Sequence, residues 1–298
     1  MHLLPDAPLQ VVRVRSMDAE VHYRAEAVNA PGLPLRQVLL DFYLENSVLQ
    51  FRPFAFTLPQ GKLAGTAQID ARPDMPIVDM DVRLSNAHLE DFMAQKSGQP
   101  PALEGPIVAR AKIHGVGDSV HKAAATANGE ITVVIPHGKI RRAFAELLGI
   151  NVVEGLGLLL TDDQEQTELR CGVADFKVLH GTLTPQAMVF DTGVVLTHGS
   201  GNINLNSEAI NLALQGQPKE AHLIRVMSPI TVGGTLMHPT VGVDAKKAAA
   251  QAGVATALGV LLTPIGAILP FIDVGLAKDA NCQALLSQAN QKRRRAAL

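Results

Sequence analysis

Apolar and polar residues alternate along most of this chain. In the stretch GNINLNSEAINLALQ, residues 201–215, apolar residues lie on both sides of a short polar turn. These residues are Ile203, Leu205, Ile210, Leu212 and Leu214. Because successive side chains of a strand point to opposite faces of a sheet, the pattern predicts a β-hairpin with one apolar and one polar face.

The same alternation recurs between turn signals such as PQG, RPDMP and NGE. The positions expected to share the apolar face with the hairpin are Val78, Met80, Val82, Leu84, Ile131, Val133, Met188 and Phe190. One apolar and one polar face, strand after strand, is typical of an antiparallel meander. We therefore expect a mainly β protein with an open, curved antiparallel sheet.

Helical patterns are few. The sequence predicts short helices over residues 86–98 and 139–150, each ended by glycine, and a helical region from about Asp244. Three regions follow from this organisation: a first β-groove repeat with a short helix at 1–100, a second β-groove region at 101–243, and a helical segment with a basic tail at 244–298. So few helices cannot cover so many strands, so the apolar faces must cover one another or bind something that is not protein.

Composition excludes some partners. The chain has 298 residues and a formal net charge of -2, which gives no general attraction for nucleic acid. Aromatic residues make up only 4% of the chain, and tryptophan is absent, so stacking platforms for bases are scarce. We expect no nucleic-acid partner.

The sequence offers no set of residues for catalysis. The ten histidines form no metal-type spacing with the two cysteines, and Ser200 stands in HGSGN rather than between a strand and a helix. GVGDSV, residues 115–120, is expected to be a hairpin connection. The acidic stretch 161–168 fits a solvated loop better than a calcium site. We therefore expect no enzyme, no cofactor and no metal.

The C-terminal region contains an apolar run. Residues 248–272 carry no charge and are long enough to cross a bilayer, which takes about 20 residues. Pro264 and Pro270 interrupt the run, so a broken helical segment that caps the sheet or lies against a membrane is the favoured interpretation. The basic tail 292–295 either contacts anionic headgroups or is a frayed, solvated end.

Two stretches of the chain resemble the C-terminal region of AsmA-family proteins. They are residues 103–140 and the stretch from Leu169 to Asp244. The elements that carry the resemblance are the turn Gly-x-Gly-x-Ser at 115–119, the strand that opens at Cys171, the DTG…GSGNINL hairpin and PITVGGTL. In order, they cover roughly residues 40–290.

The resemblance implies a periplasmic location and a lipid partner. AsmA-like proteins are anchored in the inner membrane by an N-terminal helix, and their TamB-like relatives are thought to conduct phospholipid along an apolar trough toward the outer membrane. The start of this chain, MHLLPDAPLQ, reads neither as a signal peptide nor as a membrane anchor, which departs from the family pattern. Three explanations are open: the chain is a fragment, its start is wrongly assigned, or a partner tethers it. The thirteen apolar-face positions named above are then the candidate lipid-groove residues.

Three functions remain open at this stage. The favoured one is a periplasmic lipid conduit for outer-membrane biogenesis, with phospholipid acyl chains as the ligand and a membrane surface, reached through the C-terminal segment, as a partner. An assembly factor would instead hold strands of outer-membrane proteins by β-augmentation and bind extended peptide. A periplasmic scaffold would bind neither, and in that case the sheet packs against itself.

Cys171 and Cys282 are a candidate disulfide pair. The resemblance places the protein in an oxidising compartment, where paired cysteines persist as disulfides. A bond across a loop of about 110 residues would contribute roughly 4 to 5 kcal/mol in the chain-entropy model. The alternative is two buried free thiols.

Overall fold

The described part of the chain forms one antiparallel sheet with short helices at its margins. The computed structural model describes residues 3–30, 33–92, 101, 103–142, 145, 165–219, 230–243 and 277–295. Within these ranges the sheet has fifteen strands, and their main path runs β1-β2-β3-β4-β5-β7-β8-β10-β11-β12-β13-β14-β15, with β6 and β9 as a side branch. The sheet is open, because β1 and β15 end the path.

The strands have the following bounds: β1 Ala19–Ala30, β2 Leu33–Glu45, β3 Val48–Leu58, β4 Gly61–Asp70, β5 Ile77–His88, β6 Leu103–Glu104, β7 Pro106–Val116, β8 Asn128–Ile135, β9 Gly138–Arg141, β10 Gln166–Leu179, β11 Thr182–Thr192, β12 Val195–Asn204, β13 Ile210–Pro218, β14 Ile230–Gly234 and β15 Pro239–Val243. The helices are α1 Val11–Ser16, the 3₁₀ helix η1 Leu89–Phe92, α2 Val120–Ala125 and α3 Cys282–Arg295. Neighbouring strands along the main path mostly follow each other in sequence, which is the meander that the alternation predicts.

The strand register sorts the side chains onto two faces. Ala67 of β4 lies opposite Met80 of β5, which lies opposite Ile113 of β7. One residue along each strand, Thr66 lies opposite Asp81 and Asp81 opposite Lys112. Because the register holds across these pairs, every apolar residue of the pattern falls on one face and its polar neighbours on the other. We call these the apolar face and the polar face.

Residues 3–16 and α2 lie along one end of the sheet. Val14 of α1 is buried against Leu44 and Ala71, at the ends of β2 and β4. The preceding backbone is tied to the α2 region, where the Leu9 N–H donates to the Asp118 carbonyl at 2.8 Å. The Ser119 hydroxyl caps α2 by accepting from the Lys122 N–H. This end of the apolar face is therefore covered by protein.

The other end is closed around β9 and the start of β10 and β12. Leu169 and Val195 are fully buried there, and Leu89 and Ile140 pack against them. Ile107, Ile135 and Phe190 extend this cluster onto the apolar face. A second cluster, centred on Phe176, Val178 and Leu183, lies between the two ends.

Two of the predicted helices are corrected by the structure. Asn86–His88 are the last residues of β5, and among the described residues of the predicted helix Leu89–Phe92 are helical, as a short 3₁₀ turn. Lys139–Arg141 belong to β9, because they pair with Gln166–Glu168 of β10. The start of the predicted helix is therefore wrong, whereas Arg142 and Ala145, the described residues that follow, are helical. In both places, strand pairing with a neighbour outweighs local helix propensity. Residues 93–100 and 146–150 lie outside the described residues.

Two further expectations concern connections and the C-terminus. GVGDSV does not join β7 and β8 by a plain hairpin turn, because α2 forms between these strands. The apolar run 248–272 lies outside the described residues. The C-terminal helix that the structure describes is α3, which begins at Cys282.

Candidate functional site

The apolar face carries all thirteen positions that the sequence singles out. Val82 lies in a row with Ala111, Ile131 and Phe176, and Leu84 in a row with Ala109, Val133 and Ala174. Met188 is opposite Ala174, and Phe190 is opposite Gly172. Beyond β11, Ile203 pairs with Ile210, while Leu212 and Leu214 continue along β13 onto Val232 and Ile230 of β14. Leu205 follows β12 directly and packs on the Phe176 cluster.

These thirteen residues differ in how far protein covers them. Ile131, Met188, Ile203 and Leu205 pack against the cluster around Phe176 and Val178. Met80, Val82 and Leu84 belong to none of the buried clusters of the described residues, and they remain partly exposed. The surface between the two covered ends is therefore a partly open apolar sheet surface.

Phe51 and Phe54 of β3 lie on the apolar face but break the alternation pattern. Phe42 of β2 lies opposite Phe51, and Leu40 lies opposite Phe54, with a register shift between these pairs. The shift comes from extra residues at Arg52 and Pro53, which change the spacing of the apolar positions from two to three. Pro53, which cannot donate to a ladder, is the sequence signal for such an irregularity.

The polar face carries opposite charges in neighbouring strands. Asp81, Lys112, Glu130 and Lys177 occupy directly opposite positions on β5, β7, β8 and β10. Asp79 and His114 form a second pair, with 2.8 Å between Asp79 Oδ1 and His114 Nδ1. Opposite charges at facing positions stabilise a sheet modestly and fix its register.

A groove of about 1050 Å³ crosses β3, β4, β5, β7, β8, β10 and β11. Two parallel rows of polar-face residues line it: Gln50, Gln68, Asp79, His114 and Asn128, and Thr66, Asp81, Lys112, Glu130 and Lys177. Between these two rows, Ala67, Met80, Ile113 and Gly129, whose row belongs to the apolar face, also line the groove. The next row of the apolar face, with Val82 and Ile131, does not line it. The groove therefore lies on the polar face, whereas the sequence places the concavity of the sheet on the apolar face. Alternation assigns residues to faces but does not specify how a twisted sheet bends.

Two polar pairs, each with a buried member, lie along this groove. Arg110, 4% exposed, donates from Nε to Asp81 Oδ1 at 2.8 Å and binds the second carboxylate oxygen through Nη2. The pairing with Asp81 raises the pKa of Arg110 above its usual value. The Thr132 hydroxyl donates to Asp175 Oδ1 at 3.0 Å, and both residues are buried. Each pair uses its polar groups internally, which indicates a structural role.

The two cysteines are joined in the structure. Cys171 of β10 and Cys282 of α3 form a disulfide across a sequence separation of 111 residues. Asp191 lies close to both sulfurs. The bond removes both thiolates from metal ligation at this position.

The described helices are too short or too polar to cross a bilayer. This finding covers the part of the chain that the structure describes and leaves aside residues 244–276.

The AsmA family model matches residues 3–188. This chain belongs to the AsmA family. It is also 27% identical over 274 residues to AsmA family protein YhjG of Escherichia coli (strain K12), an alignment that covers 91% of this chain and 40% of that protein. The chain thus spans less than half the length of this curated relative. No solved structure matches the chain.

Proposed function

We propose that this AsmA-family chain is a non-enzymatic, periplasmic lipid-binding protein, and that its apolar face holds phospholipid acyl chains on their way between membranes. The observation that carries the proposal is the apolar face itself, which continues across the sheet and stays partly exposed at Met80, Val82 and Leu84. Membership of a family broadly linked to outer-membrane biogenesis supports it.

Acyl chains suit this surface energetically. Each methylene group removed from water contributes about 0.8 kcal/mol. A chain of roughly sixteen carbons that is only half shielded therefore gains several kcal/mol, which is enough for binding without a closed pocket. The face is lined mainly by aliphatic side chains, which discriminate little between chains of different length.

The test compares two adjacent residues that face opposite ways. Val82 lies on the apolar face and Arg83 on the polar face of β5. Val82→Asp places a charge in the path of the acyl chain, whereas Arg83→Asp places the same charge on the solvated face. Gently purified protein is extracted with organic solvent, and phospholipid per chain is measured by mass spectrometry. We expect near-stoichiometric lipid in the parent and in Arg83→Asp, and about tenfold less in Val82→Asp.

Circular dichroism and thermal unfolding of all three proteins show whether each is folded. A folded parent that carries no lipid would overturn the proposal. So would a folded Val82→Asp protein that retains as much lipid as Arg83→Asp.

A second candidate function follows from the open edges of the sheet. β15 pairs with β14 alone in the described part of the chain, and Val241 on it is 75% exposed. An unpaired strand edge is a template for another strand, so β15 could hold an extended segment of an outer-membrane protein by β-augmentation.

Lysine on an edge strand opposes strand addition, which gives a direct test of this second function. We expect Val241→Lys to abolish binding of an extended amphipathic peptide in a fluorescence anisotropy assay. Val12→Lys, at an equally exposed position of α1, should leave binding intact. If the parent binds no peptide while it carries lipid, the assembly function is excluded and lipid binding stands.

A further inference from the structure

α3 is attached to the polar face of the sheet by one covalent bond and a small apolar contact. Its first residue, Cys282, is bonded to Cys171 of β10. Further along the helix, Leu285, Leu286 and Ala289 pack against a strip formed by Val108, Val134 and Val173. We call these three valines the valine strip. It lies at the end of the polar face, beside the Thr132–Asp175 pair.

A cluster of charges holds the segment that precedes α3. Asp279 accepts from Lys219 Nζ at 2.6 Å and also binds Arg170. The Ala280 N–H donates to Asp191 Oδ2 at 3.0 Å, and the Ala277 N–H donates to the Pro218 carbonyl at 3.2 Å. These contacts place Cys282 next to Cys171.

The charges of the sheet stay paired when α3 leaves. Asp191 is fully buried, and its Oδ1 lies 2.5 Å from Lys219 Nζ, while its Oδ2 lies 3.3 Å from Arg170 Nε. All three residues belong to β10, β11 or the residue after β13, so their contacts persist without α3. Release therefore leaves no buried charge without a partner. An unpaired buried charge is what usually makes breaking such a cluster costly. What is lost is the pairing of Asp279, whose side chain is 51% exposed and whose ion pairs are screened by salt. The hydrogen bonds from the Ala277 and Ala280 N–H groups are lost with it.

The sheet itself does not depend on the disulfide for its hydrogen bonding. β10 pairs with β8 from Gly172 to Val178 and with β11 on its other side. Cys171 pairs with Asp191 of β11 and directly precedes the segment that pairs with β8, so backbone pairing holds it in place whether or not its sulfur is bonded. The covalent bond thus constrains α3 far more than it constrains β10.

We propose that the Cys171–Cys282 disulfide is a redox-controlled latch, which keeps α3 over the valine strip when oxidised and lets α3 detach when reduced. Detachment exposes an apolar surface at the end of the polar groove. This inference stands independently of the lipid proposal, because it concerns the opposite face of the sheet.

The chemistry is thiol–disulfide exchange with a dithiol reductant, such as a thioredoxin-like protein. Cys171 is fully buried while Cys282 is partly exposed, so the attacking thiolate reaches the Cys282 sulfur. The S–S bond breaks, a mixed disulfide forms at Cys282, and Cys171 leaves as a thiolate that takes up a proton. The second thiol of the reductant then displaces Cys282 as a thiol. Two electrons and two protons pass to the protein, and the reductant becomes a disulfide.

Hydrogen–deuterium exchange followed by mass spectrometry tests the latch. Backbone amides of α3 are compared in the oxidised protein, in protein reduced with dithiothreitol, and in the Cys171→Ala, Cys282→Ala double variant. We expect α3 amides to exchange about tenfold faster in the reduced and double-variant proteins, with β4 and β5 unchanged. Dithiothreitol should have no effect on the double variant.

Two results would overturn the proposal. Unchanged exchange in α3, with both thiols shown to be free by alkylation, would mean that the non-covalent contacts alone hold the helix. Faster exchange in β4 and β5 as well would mean that the disulfide holds the whole fold together. The reduced parent protein answers the question even if the double variant does not fold.

Discussion

At the scale of single residues, the polar face is organised by charged groups that hold one another in place. Asp41 is the clearest example, because its two carboxylate oxygens accept from Nη1 and Nη2 of Arg24, each at 2.9 Å. His22 lies on its other side, with 2.7 Å between Nδ1 and Asp41 Oδ1. These hydrogen bonds, from Arg24 first and His22 second, lower the pKa of Asp41 to about 2. The carboxylate therefore stays charged across the physiological pH range and stabilises the pairing of β1 with β2.

The contact with Asp41 also affects the pKa of His22. The hydrogen bond to Asp41, and to a lesser extent that to Glu20, raises the pKa of His22 above 6.5. A raised pKa in the folded state means that the contribution of His22 to the free energy of unfolding is present below pH 6.5. That contribution is lost as the pH rises through the raised value. We expect an NMR titration of the His22 ring to give a pKa above 6.5.

Two variants separate the causes of this shift. Asp41→Asn removes the larger contribution and should bring the pKa of His22 back toward 6.5, while Glu20→Gln should lower it less. A His22 pKa at or below 6.5 in the parent would contradict the assigned contacts.

At the scale of secondary-structure elements, alternation predicts the strands well where each strand is regular. β5, β8 and β13 follow the pattern. The thirteen apolar positions, which lie on these strands, on β11 and on or directly after β12, fall on one face. The pattern fails at Phe51 and Phe54, because a register shift inserts residues between them. It also fails at Asn86–His88 and Lys139–Arg141, where a helix-like local sequence is held in strands by its neighbours. Local helix propensity therefore determines the secondary structure only where pairing with a neighbouring strand does not compete with it.

Gly129 lies where β8 comes close to the backbone of β7. It is the second residue of β8 and has a φ of +149°, and an added Cβ would collide with the backbone carbonyl of Lys112 on β7. We expect Gly129→Ala to lower the free energy of unfolding by about 1 to 3 kcal/mol, because both the backbone conformation and the contact are unfavourable to a side chain.

Gly242→Ala is the matched control for this substitution. Gly242 lies in the edge strand β15, and a Cβ there meets only the Thr231 hydroxyl, at an ordinary 3.4 Å. Its effect should stay within about 0.5 kcal/mol. Chemical denaturation of both variants provides the measurement, and equal effects would mean that the approach of β8 to β7 is looser than described.

At the scale of the whole molecule, contacts between residues distant in sequence hold the N-terminal segment and α3 against the sheet. The Glu208 carboxylate, in the turn after β12, accepts from the N–H groups of Leu3 and Leu4 at 2.8 and 2.7 Å. The disulfide and the charges around Asp191 bring α3 onto the strands β8 and β10. The first of these ties joins residues about 200 positions apart, and the disulfide joins residues 111 apart. These long-range contacts hold the ends of the two faces. The middle of each face is built by strands that are neighbours in sequence.

The composition of each face follows from the alternation of residues along the chain. Side chains alternate with a period of two, so the order of residues from Val78 to Leu84 is enough to separate Val82 from Arg83. The position of the groove on the charged face and the docking of α3 over Val108, Val134 and Val173 are visible in the folded structure alone, as is the bending of the sheet. These features depend on strand twist, register shifts and contacts between distant residues, and no local pattern of residues encodes any of the three.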